Sequence, residues 1–167
     1  MTLSERESQR YQRHLQLEGF GESAQKALKN SHVCIVGLGG LGCPAGLYLT
    51  AAGIGRITLV DGDVVSLSNL QRQVLFREED IGHNKAAVAA EQLKARNSEI
   101  DVRAVPSFLT VALAEDVFPD ADLVLDCTDN FLTRFSINAA CVAAQVPLVS
   151  GAAIRTEGQV SVEDPSN

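Results

Sequence analysis

A glycine-rich turn is the first feature of this sequence that points to chemistry. Gly37, Gly39 and Gly42 form a G-x-G-x-x-G pattern that follows the apolar run Val33 to Val36 and precedes a helical pattern. In this context glycine lets the backbone approach a phosphate, and N–H groups at the start of the helix can bind it. The pattern predicts nucleotide binding. The alternative is that the glycines only permit close packing of a strand and a helix.

Two aspartates follow the second predicted strand. Asp61 comes roughly 24 residues after Gly37, where Rossmann-type domains place a carboxylate that accepts hydrogen bonds from ribose hydroxyls. Asp61-Gly62-Asp63 is also a favourable turn sequence. We therefore predict a ribose contact for Asp61, with a turn-capping role as its alternative, and either a turn or a nucleotide-binding role for Asp63.

The positively charged side chains favour a triphosphate over a dinucleotide as the ligand. The glycine turn lacks the lysine of a P-loop, so the cations that balance a triphosphate must come from elsewhere. We assign this role to Lys85, at the start of a helix, and to the polar run Ser68-Asn69-Leu70-Gln71-Arg72-Gln73. The alternative for Lys85 is an ordinary solvated lysine. The alternative for Arg72 is a surface ion pair with Glu78 or Glu79.

A second polar segment, Asp126-Cys127-Thr128-Asp129-Asn130, follows an apolar strand and precedes a helix. Asp129 is thereby placed at a carboxyl end of the sheet, where open α/β sheets bind ligands. Because Mg²⁺ prefers one or two carboxylates together with substrate phosphates and water, Asp129 suffices as its protein ligand. We predict that Asp129 binds magnesium and that Asp129 and Asn130 border the nucleotide. Capping of the following helix by either residue is the alternative.

Composition limits the classes of function. The 167 residues are 46% hydrophobic and 21% charged, which is typical of one folded domain. The net charge of -7 argues against a nucleic-acid partner, because neutralising phosphates along a strand requires clustered Lys and Arg.

The cysteines and the apolar runs bear on metal binding and location. No C-x-x-C pair occurs, and no histidine lies near enough in sequence to complete a zinc motif, so we expect no zinc site in this chain. We expect small buried thiols in a reducing, cytoplasmic compartment. No run approaches the ~20 apolar residues of a membrane helix, and we expect neither a signal peptide nor a membrane partner. The cysteines are Cys34, Cys43, Cys127 and Cys141.

The elements that must position these residues alternate along the chain. Strands alternating with helices predict an α/β fold, a Rossmann-like, doubly wound, mainly parallel sheet with helices on both faces. The predicted strands are 33–36, 57–60, 102–105, 123–125, 148–149 and 160–162. The predicted helices are 4–16, a short one through 24–28, one from the glycine turn to 52, and those at 84–97, 112–117 and 131–144. Residues 1–30 form an N-terminal helical extension and residues 31–167 the nucleotide-binding domain.

These motifs together resemble the ubiquitin-activating-enzyme superfamily. The likeness is closest to the bacterial MoeB/ThiF/HesA type, which adenylates sulfur carriers for molybdopterin or thiamine synthesis. Several spaced motifs in one order are far more specific than a single glycine turn. The matching segments are Arg10-Tyr11-Gln12-Arg13, Gly37 to Gly42, Asp61, Ser68 to Gln73, Lys85, Asp126 to Asn130, Ser150 to Arg155 and Gly158-Gln159.

The resemblance implies roles for individual residues. Gly40 and Asp61 would contact the nucleotide, and Asp129 would hold the magnesium. The phosphates would be contacted by Asn69, Arg72 and Lys85. Arg13, whose i, i+3 spacing from Arg10 by itself indicates only a solvated helix face, would act on the triphosphate from the neighbouring subunit of a homodimer. The implied reaction joins the terminal glycine carboxylate of a ubiquitin-like sulfur carrier ending in Gly-Gly to AMP, with release of pyrophosphate.

Members of this superfamily continue with two C-x-x-C zinc pairs, a crossover segment and strands that cradle the carrier. We expect this chain to be a fragment that lacks that carrier-binding part. Two alternatives remain at this point. An NAD-dependent Rossmann oxidoreductase leaves Arg72, Lys85 and Asp129 unexplained. A non-catalytic nucleotide-binding domain would bind ATP without exchanging pyrophosphate.

Overall fold

The computed structural model describes residues 2–165. Its strands are β1 His32–Val36, β2 Arg56–Val60, β3 Asp101–Val105, β4 Leu123–Asp126, β5 Leu148–Ile154 and β6 Glu157–Glu163. Its helices are α1 Glu5–Arg10, α2 Gln12–Leu15, α3 Gly21–Asn30, α4 Gly42–Ala52, α5 Lys85–Arg96, α6 Val111–Val117 and α7 Phe131–Ala144. Short 3₁₀ turns occur at Leu67–Asn69 and Glu78–Asp80.

The strands form one sheet in the order β3-β2-β1-β4-β5-β6. The strands from β3 to β5 pair in parallel, and β6 runs antiparallel to β5. The chain builds outward from β1 to β3 and then returns to place β4 on the other side of β1. The carboxyl ends of β1 and β4 therefore border the crevice where the strand order reverses. The predicted fold class is confirmed.

Alternate residues of β1 supply two hydrophobic cores, because successive side chains of a strand point to opposite faces. Val33 and Ile35 pack into the core that α4 and α5 cover. Cys34 and Val36 pack into the core under α6 and α7. Both faces are covered, which explains why the central strands are apolar throughout.

The N-terminal segment differs from the single helix predicted for residues 4–16. The capping box of Ser4 and Glu7 begins α1 as predicted, but the helix breaks at Tyr11. Tyr11 is buried, and its hydroxyl accepts a hydrogen bond of 2.8 Å from Asn97 Nδ2. This anchor is a contact with a residue remote in sequence, which the spacing of apolar residues does not reveal.

The three N-terminal helices pack against the ends of α4 and α5 that are remote from the glycine turn. Gln25 Nε2 donates to the carbonyl oxygen of Ala52 over 2.9 Å, and Asn97, at the end of α5, contacts Tyr11. Leu28 of α3 packs against the core beneath α4 and α5. The division of the chain at residue 30 remains a prediction.

The last two strands are longer than predicted. They form a hairpin in which Ile154 pairs with Glu157 across a turn at Arg155, whose φ is 52°. The usual Asn-Gly or Asp-Gly signal is absent from this turn, which has the sequence Arg155-Thr156. Strand β5 also contains Gly151 and two alanines, which have low strand preference, so its sequence pattern is weak. In residues 2–165 no helix has the length and apolar character to cross a membrane.

Candidate nucleotide-binding site

The glycine turn has two pairs of glycines with different surroundings. The φ of Gly37 is 89°, and a Cβ there would lie 2.9 Å from the carbonyl oxygen of Cys127. A Cβ on Gly42 would lie 1.9 Å from the carbonyl oxygen of Gly37. These two positions exclude a side chain through close backbone packing. Gly39 and Gly40 have no such backbone contact, and they face the segment that follows β2.

That segment brings Arg72 and Gln73 to the glycine turn. A Cβ on Gly40 would be 3.5 Å from Arg72 Cδ, and a Cβ on Gly39 would be 3.8 Å from Gln73 Nε2. Arg72 is exposed and donates to the carbonyl oxygen of Ser68 over 3.2 Å. The structure thus places an arginine directly beside the turn that was predicted to bind phosphate.

The alternative role for Arg72, an ion pair with Glu78 or Glu79, is not what the structure has. Arg77 occupies that position, with Nη1 3.1 Å from Glu79 Oε1. None of the ion pairs within residues 2–165 includes Arg72. Its charge is therefore available to an anion.

The remaining residues of the polar run differ in their surroundings. Leu70 packs against the core. Gln73 is 3% exposed, and its Oε1 has no hydrogen-bond partner within residues 2–165. The backbone of Asn69 anchors the turn, because its carbonyl oxygen accepts from the N–H groups of Arg72 and Gln73. The predicted nucleotide contacts of Ser68, Asn69, Leu70, Gln71 and Gln73 remain predictions.

Asp61 bridges the glycine turn and the segment after β2. Its Oδ2 accepts from the backbone N–H of Leu38 over 2.7 Å, and its Oδ1 accepts from the N–H of Asp63 over 2.8 Å. The turn role is therefore present, and the ribose contact of Asp61 remains a prediction. Each carboxylate oxygen retains a lone pair, so the half-buried Asp61 is suited to accept hydrogen bonds from ribose hydroxyls.

Lys85 is not the solvated lysine that its alternative role describes. Its side chain is 7% exposed, and Nζ lies 3.2 Å from Oδ2 of Asp63, which is 57% exposed. Asn84 caps α5 by accepting from the N–H of Ala87, and it also donates to the carbonyl oxygens of Asp61 and Asp63. A largely buried ammonium with one exposed counterion is suited to bind a second anion, since it has three donors.

The segment after β4 separates the two roles considered for Asp129 and Asn130. Asn130 Oδ1 accepts from the N–H groups of Leu132 and Thr133, so Asn130 caps α7. Asp129 is exposed, and it makes no hydrogen bond or ion pair with the part of the chain that the structure describes. The capping alternative therefore applies to Asn130, and the predicted nucleotide contact of Asn130 remains a prediction.

The donor set fits a nucleotide triphosphate with Mg²⁺. Arg72 supplies a cationic donor beside Gly40, and Lys85 supplies a second one next to Asp63 in the segment that follows β2. Asp129, after the neighbouring strand β4, offers an exposed carboxylate that has no partner among residues 2–165. Mg²⁺ needs only one or two protein carboxylates when phosphates and water complete its shell. No group of three or more His, Cys, Asp or Glu side chains that could hold a metal ion occurs among residues 2–165.

Arg13 is not brought to this site. It lies exposed on α2, next to Tyr11, which contacts the far end of α5. The glycine turn precedes the opposite end of α4, and the 11 residues of α4 span roughly 16 Å. Within one chain, Arg13 is thus at the other edge of the sheet from Arg72 and Lys85.

Sequence reasoning missed Arg134. Its guanidinium donates to the carbonyl oxygen of Thr128, to that of Gly151 and to Ser150 Oγ. One signal was available, because a cation in the first turn of a helix faces the positive end of the helix dipole and needs other partners.

Three of the four cysteines, Cys34, Cys43 and Cys141, are buried as expected, whereas Cys127 is half-buried at the border of the core. Burial, with the charge of Asp126 adding to it, raises the pKa of the Cys127 thiol to about 12. Burial likewise raises the pKa of Cys43 to about 11. Both thiols are therefore protonated at neutral pH and are poor nucleophiles.

The loops after β1 and β4 meet at the switch point of the sheet, the place where Rossmann-type domains bind nucleotides, and the protein is a domain of that class. Comparison of its sequence with known families narrows the class further. The ThiF family profile matches residues 11–167. The chain belongs to the ThiF family.

Relatives of known name agree with this membership. The chain is 51% identical over 160 residues to the molybdopterin-synthase adenylyltransferase of Escherichia coli K12, covering 96% of this chain and 64% of that protein. It is 45% identical over 163 residues to the sulfur carrier protein ThiS adenylyltransferase of the same strain, covering 98% and 65%. The chain thus spans somewhat under two thirds of these relatives. They do not favour the oxidoreductase alternative.

Solved structures share the fold. The E. coli tRNA N6-threonylcarbamoyladenosine dehydratase TcdA in complex with ATP has a TM-score of 0.84 and 31% identity, covering 93% of this chain and 65% of that one. E. coli MccB with ATP has a TM-score of 0.78 and 35% identity, covering 87% and 45%.

Proposed function

We propose that this chain is the nucleotide-binding half of an ATP-dependent adenylyltransferase. Its acceptor is the C-terminal glycine carboxylate of a ubiquitin-like sulfur carrier for molybdopterin or thiamine synthesis. The relatives named as molybdopterin-synthase and ThiS adenylyltransferases support this reaction class. The observation that carries the proposal is the position of Arg72 against Gly40, with the largely buried Lys85 at the start of α5.

In this function different side chains contact different parts of the nucleotide. Asp61 accepts hydrogen bonds from the ribose, and the backbone at Gly39 and Gly40 approaches the phosphates. Arg72 and Lys85, with Asn69, bind the phosphate oxygens. Lys85 exchanges Asp63 for a phosphate oxygen, which is favourable because a triphosphate carries more negative charge than one exposed carboxylate.

Asp129 holds the magnesium ion. When bound, Mg²⁺ offsets the negative charge of the phosphate oxygens and so favours attack by an anionic carboxylate. The support for Asp129 is its exposed carboxylate, which has no partner among the described residues.

The reaction requires no protein nucleophile. A carboxylate oxygen of the carrier's terminal glycine attacks the α-phosphorus, the bond to the bridging oxygen breaks, and pyrophosphate leaves. The product is an acyl-adenylate. Orientation of the two reactants and stabilisation of the charge on the phosphates supply the catalysis, which agrees with the raised pKa of the half-buried Cys127 thiol.

Arg13 acts from a second copy of the chain in a homodimer. The support is its exposure and its location roughly 16 Å along α4 from the glycine turn of its own chain. A guanidinium there can bind the triphosphate only of a neighbouring subunit. The free cysteines, three of them buried, suit a cytoplasmic protein. The net charge of -7 argues against a nucleic-acid partner.

The test is ATP–pyrophosphate exchange with candidate carriers ending in Gly-Gly. The unmodified chain, Arg72→Ala and Asp129→Ala are compared, with Arg103→Gln as a control on the remote strand β3. Exchange that both site variants abolish and the control retains supports the proposal. ATP binding without exchange for any carrier would indicate a non-catalytic nucleotide-binding domain, and turnover of a nicotinamide cofactor would indicate an oxidoreductase.

A further inference from the structure

A guanidinium lies behind the loop that carries Asp129. Arg134, in the first turn of α7, is half-buried. It donates to the carbonyl oxygen of Thr128, to the carbonyl oxygen of Gly151 over 2.5 Å and to Ser150 Oγ over 3.2 Å. One side chain therefore joins the loop after β4 to the middle of β5.

The usual roles of a surface arginine do not explain Arg134. Its location in the first turn of α7 is unfavourable for a cation because of the helix dipole. None of the ion pairs between residues 2 and 165 includes it, so its partners are neutral oxygens. A planar guanidinium can hold several such oxygens at fixed angles, whereas a lysine ammonium cannot.

The same network fixes Thr128 from a second side. Asp126 is 1% exposed, and its Oδ1 accepts from Thr128 N over 3.0 Å and from Thr128 Oγ1 over 2.7 Å. Its Oδ2 accepts from Ser150 Oγ, the atom to which Arg134 also donates. The amide and hydroxyl of Thr128 are thus held by Asp126, and its carbonyl oxygen by Arg134.

Thr128 connects this network to both halves of the proposed site. Its Cγ2 lies 3.2 Å from where a Cβ on Gly37 would stand, so it packs against the glycine turn. It also directly precedes Asp129, whose own side chain has no anchor in the described chain. The position of the Asp129 carboxylate relative to the glycine turn consequently depends on how Thr128 is held.

We propose that Arg134 is a positioning residue for the magnesium-dependent step, acting through Thr128 to place the Asp129 carboxylate beside the glycine turn. The inference rests on the proposed function, in which Asp129 binds magnesium. Side chains that orient a metal ligand typically change metal affinity by about 10- to 100-fold when they are removed.

Calorimetric titration with α,β-methylene ATP, with and without Mg²⁺, tests this role independently of turnover. We define the magnesium gain as the dissociation constant measured without Mg²⁺ divided by the one measured with Mg²⁺. We expect R134Q to lower the gain by about tenfold while the dissociation constant without Mg²⁺ changes by less than about twofold. D129N abolishes the gain, and the double variant matches D129N because both residues act at one point. R103Q, on β3, retains the full gain.

Several results would overturn the role of Arg134. One is a full magnesium gain in R134Q; another is an equal loss of affinity with and without Mg²⁺, which indicates only a structural role. If R134Q does not stay folded, R134K takes its place, and a gain in R134K equal to that of the unmodified chain is the overturning result. Absence of any gain in the unmodified chain overturns the magnesium step of the proposed function, and this inference with it.

Discussion

Arg72 lies against Gly40, so that a Cβ on the glycine would be 3.5 Å from Arg72 Cδ. The two residues are far apart in sequence, and the parallel sheet brings them together because the carboxyl ends of β1 and β2 lie at one edge. An anion bound at the backbone of Gly40 is therefore within reach of the guanidinium. The proposed phosphate site depends on this proximity.

Substitutions at two glycines of the turn should have opposite consequences. In Gly42→Ala the Cβ meets the carbonyl oxygen of Gly37 at 1.9 Å, and we expect a loss of roughly 3 kcal/mol or more in the free energy of unfolding. In Gly40→Ala the nearest contact is ordinary, so stability should change by less than about 0.5 kcal/mol, while ATP affinity falls because the methyl group enters the phosphate space. Urea unfolding and ATP titration measure the two effects; a stable Gly42→Ala variant contradicts the assignment.

Removal of the buried ammonium should affect binding more than folding. Lys85→Met keeps most of the packing and removes one buried charge, and its only ion-pair partner in the described chain, Asp63, is exposed. We expect unfolding free energy to change by less than about 1 kcal/mol, since apolar replacement of a buried ion is often neutral. Affinity for ATP should fall at least about tenfold, because a charge-assisted contact is lost. Unchanged ATP affinity would remove Lys85 from the phosphate site.

Subunit mixing tests the proposed action of Arg13 in a neighbouring copy. Arg13→Ala and Arg72→Ala should each be inactive in pyrophosphate exchange. After the two variants are mixed and allowed to exchange subunits, half of the dimers are hybrids and each hybrid has one intact site, which restores roughly one quarter of the activity. No recovery, in a mixture shown to contain hybrid dimers, contradicts action in trans.

The free energy of unfolding should fall at acidic pH because of an ion pair that involves the N-terminal helices. Burial works to raise the pKa of Glu7, but the hydrogen bonds from Lys29 and Ser4, with the Lys29 charge, hold that pKa below its usual range. A lowered pKa means that the ionised pair stabilises the fold above about pH 4.3, and that this contribution is lost as the pH falls through the folded-state pKa.

The variant Glu7→Gln isolates that contribution. At pH 7 it should be less stable by roughly 3 kcal/mol, because Lys29 keeps a largely buried charge without its partner. Its stability should also decline less steeply than that of the unmodified chain between pH 5 and 3. Urea unfolding across this range provides the comparison, and parallel curves for the two chains would show that Glu7 is not the group responsible.

The sequence was sufficient for the fold because the buried strands are continuous apolar runs, such as Val33 to Val36, separated by helical spacing. It also predicted that the segments with Arg72, Lys85 and Asp129 follow strands of a parallel sheet, whose carboxyl ends lie at one edge. The roles of these three residues in nucleotide binding remain predictions. The hairpin at Arg155 was missed because its turn lacks an Asn-Gly or Asp-Gly pair and because Gly151 and two alanines weaken the strand pattern. The break at Tyr11 was missed because it depends on a tertiary contact with Asn97. Local residue preferences do not encode such contacts.

The roles of the four glycines and of Arg134 could be recognised only from the three-dimensional structure. A G-x-G-x-x-G pattern treats its glycines alike, yet they differ in the structure. The backbone of Cys127, in the loop after β4, excludes a side chain at Gly37, and the backbone of Gly37 excludes one at Gly42. Arg134 is four residues from Asn130 in sequence, but two of its partners, Ser150 and Gly151, belong to β5. Spacing within one helix cannot reveal such partners.

The most direct test of the polyphosphate site compares the affinities for ATP and AMP in the presence of Mg²⁺ by calorimetry. Arg72 and Lys85 are assigned to phosphates, so Arg72→Ala and Lys85→Met should each weaken ATP binding at least about tenfold more than AMP binding. The exposed arginine variant Arg103→Gln should bind both nucleotides as the unmodified chain does. Equal losses for ATP and AMP, or tighter binding of NAD than of ATP by the unmodified chain, would contradict a triphosphate site at this edge of the sheet.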